Sequence, residues 1–215
     1  MRIDDLELVW QSYVMSAALK PQEPRPQVFA KKLSWEEYLV REAASEVRHE
    51  LVNGEMYAMA GGSDNHNRIA LNTASELRQA LKGKPCEPFM ADMKLQIELG
   101  FDQLGYYPDI MVVCDPKDRQ ATYRTNPKII IEVLSKSTLR VDAREKLLAY
   151  QALPELEVYV MLHQDAMRAV VHRRSNQWWP EIIEGEDSVL TLDEIEVHLP
   201  LRDLYERVDW SVKEE

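Results

Sequence analysis

Ile129-Ile130-Ile131-Glu132-Val133-Leu134 is an apolar run interrupted by a single acid. Its β-branched side chains read as a strand. The residues are apolar at successive rather than alternate positions, which predicts a central strand covered on both faces. A second run, Tyr106 to Cys114, has the same character and carries its own acid, Asp109, directly after Pro108. Proline is tolerated near a strand start, so Asp109 is expected near one end of that strand. A buried carboxylate without a partner costs several kcal/mol. Such groups persist when they are paired, protonated or bound to a metal. On Glu132 alone two readings stay open: an edge or salt-bridged structural acid, or a working carboxylate.

Asp109 favours the second reading. Two neighbouring strands that each contribute one carboxylate aim both groups at the same spot. Hard oxygen ligands at close quarters suit Mg²⁺, which often takes one or two carboxylates and keeps several waters. Such a metal lowers the pKa of an attacking water and neutralises charge developing on a phosphate.

Working outward, Ser34 with Glu37 forms a capping-box signature, and Trp35, Tyr38 and Leu39 supply an apolar stripe ending near Ala44. Asn53-Gly54 between two short alternating runs predicts a β-hairpin. After Gly61-Gly62-Ser63, the helical spacing of Ala70, Thr73, Ala74, Leu77 and Leu81 predicts a long helix, with His66 in its first turn on the same face. Met93, Leu95 and Ile97 alternate with polar residues, predicting a strand with one wet face; Asp92 and Lys94 on it are read as structural. Thr138 to Ala152 reads as a helix, Glu157–Leu162 and Ala166–His172 as strands. From Trp178 the chain reads as one terminal strand and a short helix near Leu201–Arg207. The pair Trp178-Trp179 is read as core or interface rather than a base-stacking platform.

The domain division that follows is an extension over 1–30, a folded domain over 31–207 and an acidic tail over 208–215. In the extension, Leu6 to Leu19 reads as a short helix, Pro21, Pro24 and Pro26 as a stiff linker, and Met15 as an alternative start.

The 215 residues carry a net charge of -11, yet residues 181–215 hold 12 acidic and 3 basic side chains, so the main body is nearly neutral. A nucleic-acid partner is not excluded, although no basic stripe announces one. No uncharged apolar run is long enough for a bilayer, and acids stand where a signal peptide carries bases. A cytoplasmic protein without membrane contact is expected, with Cys86 and Cys114 as free thiols.

Taken together, Pro108-Asp109, Glu132-Val133-Leu134-Ser135-Lys136-Ser137-Thr138 and Asp142, Lys146 and Tyr150 resemble the Uma-two family within the PD-(D/E)xK nuclease superfamily. Tyr38-Leu39, Glu50-Leu51-Val52-Asn53-Gly54-Glu55 and Gly62-Ser63 with His66 extend the likeness, which covers about Lys31 to Asp203. The resemblance implies an α/β (α+β) fold with a restriction-endonuclease-like core. A mixed central β-sheet flanked by helices is expected, with an N-terminal helix and β-hairpin. It implies a Mg²⁺- or Mn²⁺-dependent endonuclease hydrolysing phosphodiester bonds of nucleic acid, DNA foremost. Cutting both strands of a duplex favours a homodimer. Asp109, Glu132 and the main-chain carbonyl of Val133 become the metal ligands, with Glu50 and His66 as further catalytic candidates. One position departs from the pattern: Leu134 stands where the motif places Lys. Lys146 is the candidate substitute, sharing a helix face with Asp142 and Tyr150; a surface Asp142–Lys146 pair is the competing reading. The alternative function is an inactive nuclease-like fold acting as a binding or oligomeric interaction module.

Overall fold

The computed structural model describes residues 32–100, 102–134 and 142–211. The leader helix, the proline linker, the motif segment Ser135–Thr138, the side chain of Asp142 and the last four residues lie outside them.

Helix α1 (Trp35–Ala43) begins at the expected box: the Ser34 N–H donates to Glu37 Oε2 at 3.1 Å and the Glu37 N–H to Ser34 Oγ at 3.2 Å. Two orphan donors are thereby satisfied reciprocally. Strands β1 (His49–Val52) and β2 (Glu55–Ala58) form the predicted hairpin. Asn53 and Gly54 both adopt positive φ, 54° and 80°, the signature of a type I′ turn. Helix α2 (Asp64–Ala80) starts at Ser63, whose Oγ accepts the His66 N–H, and buries Ile69, Ala70, Thr73 and Leu77.

Then follow β3 (Glu87–Met90), β4 (Lys94–Leu99), β5 (Asp102–Tyr106), β6 (Ile110–Val113), β7 (Tyr123–Arg124) and β8 (Pro127–Leu134). After helix α3 (Asp142–Gln151) come β9 (Val158–His163), β10 (Arg168–Arg173), β11 (Pro180–Glu184), β12 (Val189–Leu192), β13 (Val197–Pro200) and α4 (Leu201–Leu204). The strands form two mixed sheets and a ribbon: β2-β1-β5-β4-β7, β11-β10-β9-β8-β6-β3 and β12-β13. Among the described residues only β8–β9 and β4–β7 run parallel; the other pairs are antiparallel.

Alternation along β8 divides the core. Ile129, Ile131 and Val133 pack with Ile69 and Leu77 of α2 and with the ribbon and α4, whereas Ile130 and Leu134 pack with Tyr150 of α3 and with Leu95, Leu104 and Tyr106 of the first sheet. Glu132 shares the parity of the second group and therefore points between the sheets. On the far side of the first sheet, α1 covers Leu51 with Trp35 and Tyr38.

Four expectations need correction. The run Tyr106 to Cys114 is not one strand: Tyr106 ends β5 in the first sheet and Ile110 begins β6 in the second. Pro108 cannot donate to a ladder, so the chain leaves one sheet and enters the other across Tyr107-Pro108-Asp109. The wet face of β4 is partly covered, since Gln96 is buried. The segment after Trp178 holds three strands, too short for their alternation to stand out. Cys86 and Cys114 are bonded to each other rather than free. Each flanks the paired residues Glu87 and Val113 of β3 and β6, which brings their Cα atoms to 4.0 Å. A separation of 28 residues concealed that proximity, and the cysteines no longer argue for a reducing compartment. Trp178 is partly buried against the second core group, as expected, while Trp179 is exposed. No helix among the described residues is long and apolar enough to cross a membrane.

Gly105 marks the closest approach of α1 to the first sheet. A Cβ there would lie 2.8 Å from Trp35 Cζ3, 3.1 Å from Tyr38 Cε1 and 3.2 Å from Leu51 Cβ. Gly105→Ala is therefore expected to destabilise the fold by about 1–3 kcal/mol through overpacking. Urea denaturation measures it, and an unchanged midpoint would contradict this packing.

Candidate active site

Strands β6 and β8 pair with Ile110 opposite Ile131, which sets Asp109 beside Glu132. The two acids clasp each other's backbone. The Val133 N–H donates to Asp109 Oδ2 at 2.7 Å, and the Asp109 N–H donates to Glu132 Oε2 at 3.3 Å. Each carboxylate thus fixes the chain that carries the other, and both face one spot.

Helix α3 delivers the compensating groups. Tyr150 donates its hydroxyl to Glu132 Oε1 at 2.7 Å, and Lys146 Nζ lies 3.3 Å from the same oxygen. Lys146 is only 7% exposed and also meets Glu50 Oε1 of β1 at 3.0 Å. Its ammonium stands 5.3 Å from the Tyr106 ring centroid. Lys146 and Tyr150, one helical turn apart, therefore reach the same carboxylate. Lys146 points toward Glu132 and Glu50 rather than out to solvent. Leu134, at the motif position, is buried in the core between the sheets. Glu50 joins the acidic cluster through Lys146.

His66, from the first turn of α2, places Nε2 3.2 Å from Asp109 Oδ2. Gly62 makes room for it, since a Cβ there would sit 2.8 Å from His66 Nδ1. Five predicted side chains, Glu50, His66, Asp109, Glu132 and Lys146, thus converge from β1, α2, the entry to β6, β8 and α3. Sequence reading singled out neither the role of Tyr150 nor a second acid, Glu42. Glu42 is buried at the end of α1 and accepts from the His49 N–H at 2.9 Å and from the Tyr107 hydroxyl at 2.7 Å; His49 Nδ1 lies 3.1 Å from its other oxygen. It anchors the chain next to Glu50 and two residues before Asp109. The spacing of Glu42 from Glu37 and Tyr38 gave no hint of this, because its partners are distant in sequence.

Burial pushes the Glu132 carboxyl up to about 7. Lys146 and the Tyr150 hydroxyl pull against that, while Asp109 and Glu50 add to it. Tyr150 is held well above the ordinary phenol range, by burial first and then by the Glu132 charge, so it acts as a neutral donor.

The donor set fits a hard divalent cation. Among the described residues no three His, Cys, Asp or Glu side chains converge as a metal cage. What is present is two adjacent carboxylates, Asp109 and Glu132, each bonded to the other's strand. Asp109 Oδ1 accepts no hydrogen bond from a described residue, since the bonds to that side chain end on Oδ2. One or two carboxylates with water completing the shell is the pattern Mg²⁺ takes.

Without metal, the raised Glu132 pKa links stability to pH. The folded state holds this proton above the unfolded value of 4.5. Its contribution is complete below that value and is lost as pH rises through about 7. In EDTA, the wild type is expected to lose up to about 3 kcal/mol more than Glu132→Gln between pH 5 and pH 8. Urea unfolding at the two pH values measures this, and parallel profiles would contradict the buried carboxyl described.

The profile of the Uma2 family, described as "Putative restriction endonuclease", matches residues 35–202. Among curated proteins, the uncharacterized slr1290 of Synechocystis sp. is 35% identical over 74% of this chain and 80% of its own length. The uncharacterized sll1609 of the same organism is 33% identical over 74% of this chain and 91% of its own. Among solved structures, a "putative nuclease belonging to DUF820" from Anabaena variabilis ATCC 29413 superposes with a TM-score of 0.61 at 17% identity. That match covers 75% of this chain and 91% of the other, and it establishes the restriction-endonuclease-like fold. The extent of these matches makes this chain a member of the Uma2 family.

Proposed function

We propose that this protein is a Mg²⁺-dependent endonuclease hydrolysing phosphodiester bonds of nucleic acid, with DNA as the substrate class and Mn²⁺ able to replace Mg²⁺. The observation that carries this reading is the reciprocal Asp109–Glu132 clasp with Lys146 beside it. The family membership and the nuclease-like fold support it.

In this reading Asp109, Glu132 and the carbonyl of Val133 hold the metal. When bound, the metal supplies an acidified water and neutralises charge on the scissile phosphate. Tyr150 fixes the Glu132 carboxylate by a neutral hydrogen bond. Glu50 keeps the Lys146 ammonium at the site, where it stabilises negative charge gathering on the phosphorus oxygens as water adds. His66 holds Asp109 in place and lies at the N-terminal turn of α2, an end that favours anions. Cutting both strands of a duplex requires two such sites, so the proposal for duplex DNA includes a homodimer.

Leu134 favours a second reading, an inactive nuclease-like interaction module. A cleavage assay on mixed single- and double-stranded DNA and RNA separates the two. The nuclease reading expects Mg²⁺-dependent products that EDTA abolishes, that Asp109→Asn and Glu132→Gln eliminate, and that Lys146→Met reduces by about 10²–10³-fold in kcat. Undiminished cleavage by Glu132→Gln would place the activity elsewhere, and no cleavage by the wild type would favour the interaction module.

A further inference from the structure

Gln164 is a buried amide that the proposed chemistry does not use. It follows β9 directly and is only 5% exposed. Val160 and Leu162 of β9 belong to the same core group as Ile69 and Leu77 of α2, and Gln164 continues their side of the strand. Its Oε1 accepts the Ser63 hydroxyl at 2.6 Å. An amide is costly to bury unless it is bonded, and this bond goes to the residue that caps α2.

Ser63 needs that partner. Its Oγ presents a lone pair to the His66 N–H, which it accepts at 3.1 Å. A hydroxyl turns about its C–O bond unless its own proton is held. Gln164 holds that proton, so the lone pair stays on His66. The ring of the same residue places Nε2 3.2 Å from Asp109 Oδ2. A second buried amide braces this turn from the C-terminal segment. Asn65 Nδ2 donates to the Asp209 carbonyl at 2.9 Å, and Asn65 Oδ1 accepts the Asp209 N–H at 3.1 Å. Two buried amides thus fix the turn of α2 that carries His66.

We infer that Gln164 is a positioning residue for Asp109, acting through Ser63 and His66. The relay runs from Gln164 Oε1 to Ser63 Oγ, then to the His66 N–H, and from the His66 ring to Asp109 Oδ2. It ties the end of β9 to the carboxylate at the entry to β6. This rests on the nuclease reading above for the cation that Asp109 serves.

Gln164→Met keeps the length of the side chain and removes the acceptor. By calorimetry it is expected to weaken Mn²⁺ binding about tenfold, the scale on which outer partners of a metal ligand act. Ser63→Ala, which cuts the relay one bond later, is expected to give the same loss. In a His66→Ala background Gln164→Met is expected to change Mn²⁺ binding by less than about twofold, because its route to Asp109 is already cut. A second readout needs no metal. In EDTA, the ring ¹⁵Nε2 resonance of His66 is expected to move in Gln164→Met toward its position in Asp109→Ala. Unchanged Mn²⁺ affinity in Gln164→Met, or an equal loss with and without His66, would make Gln164 structural and overturn the inference. A His66 resonance that stays at its wild-type position would overturn it as well. A wild type that binds no Mn²⁺ would defeat the metal reading, and a shifted His66 resonance would then still sustain the relay to Asp109.

Discussion

The cost of burying the Glu132 carboxylate governs the organisation of this protein. The group lies in the middle of an otherwise apolar strand and is only 6% exposed. An unpaired charge there would cost several kcal/mol. Three elements converge to offset it: α3 through Lys146 and Tyr150, β1 through Glu50, which holds Lys146 in turn, and the entry to β6 through the Asp109 N–H. Removing one partner leaves the others charged and uncompensated, so the cluster acts as a unit.

Asp109 stands where the chain leaves one sheet and joins the other. Glu42 secures that crossing from one side through Tyr107, and His66 secures it from the other. The two sheets are therefore joined at the site itself, and its geometry inherits their stiffness. The raised Glu132 pKa follows from burial and from the Asp109 and Glu50 charges, with Lys146 and the Tyr150 hydroxyl opposing them.

Much of this was legible in the sequence wherever the signal was local. The Ser34–Glu37 box, the Asn53-Gly54 turn and the spacing of α2 each depend on neighbours a few residues away. The apolar run around Glu132 disclosed a central strand, and Asp109 disclosed its counterpart because both acids violate the pattern around them. Lys146 was traceable because Tyr150 shares its helical face. What escaped depends on distant chain segments. Glu42 meets Tyr107 across 65 residues, and Cys86 meets Cys114 only because β3 and β6 pair. The break at Pro108 was hidden by apolar residues on both sides of it, and β11 to β13 were hidden by their brevity.

The central claim is that Asp109, Glu132 and the Val133 carbonyl together hold one divalent cation. Crystals grown in Mn²⁺ and measured for anomalous scattering test it most directly. A single peak with oxygen ligands from these three residues at about 2.1–2.2 Å is the result expected. Saturating Mn²⁺ with no peak there, and with Lys146 still bridging Glu132 and Glu50, would contradict it.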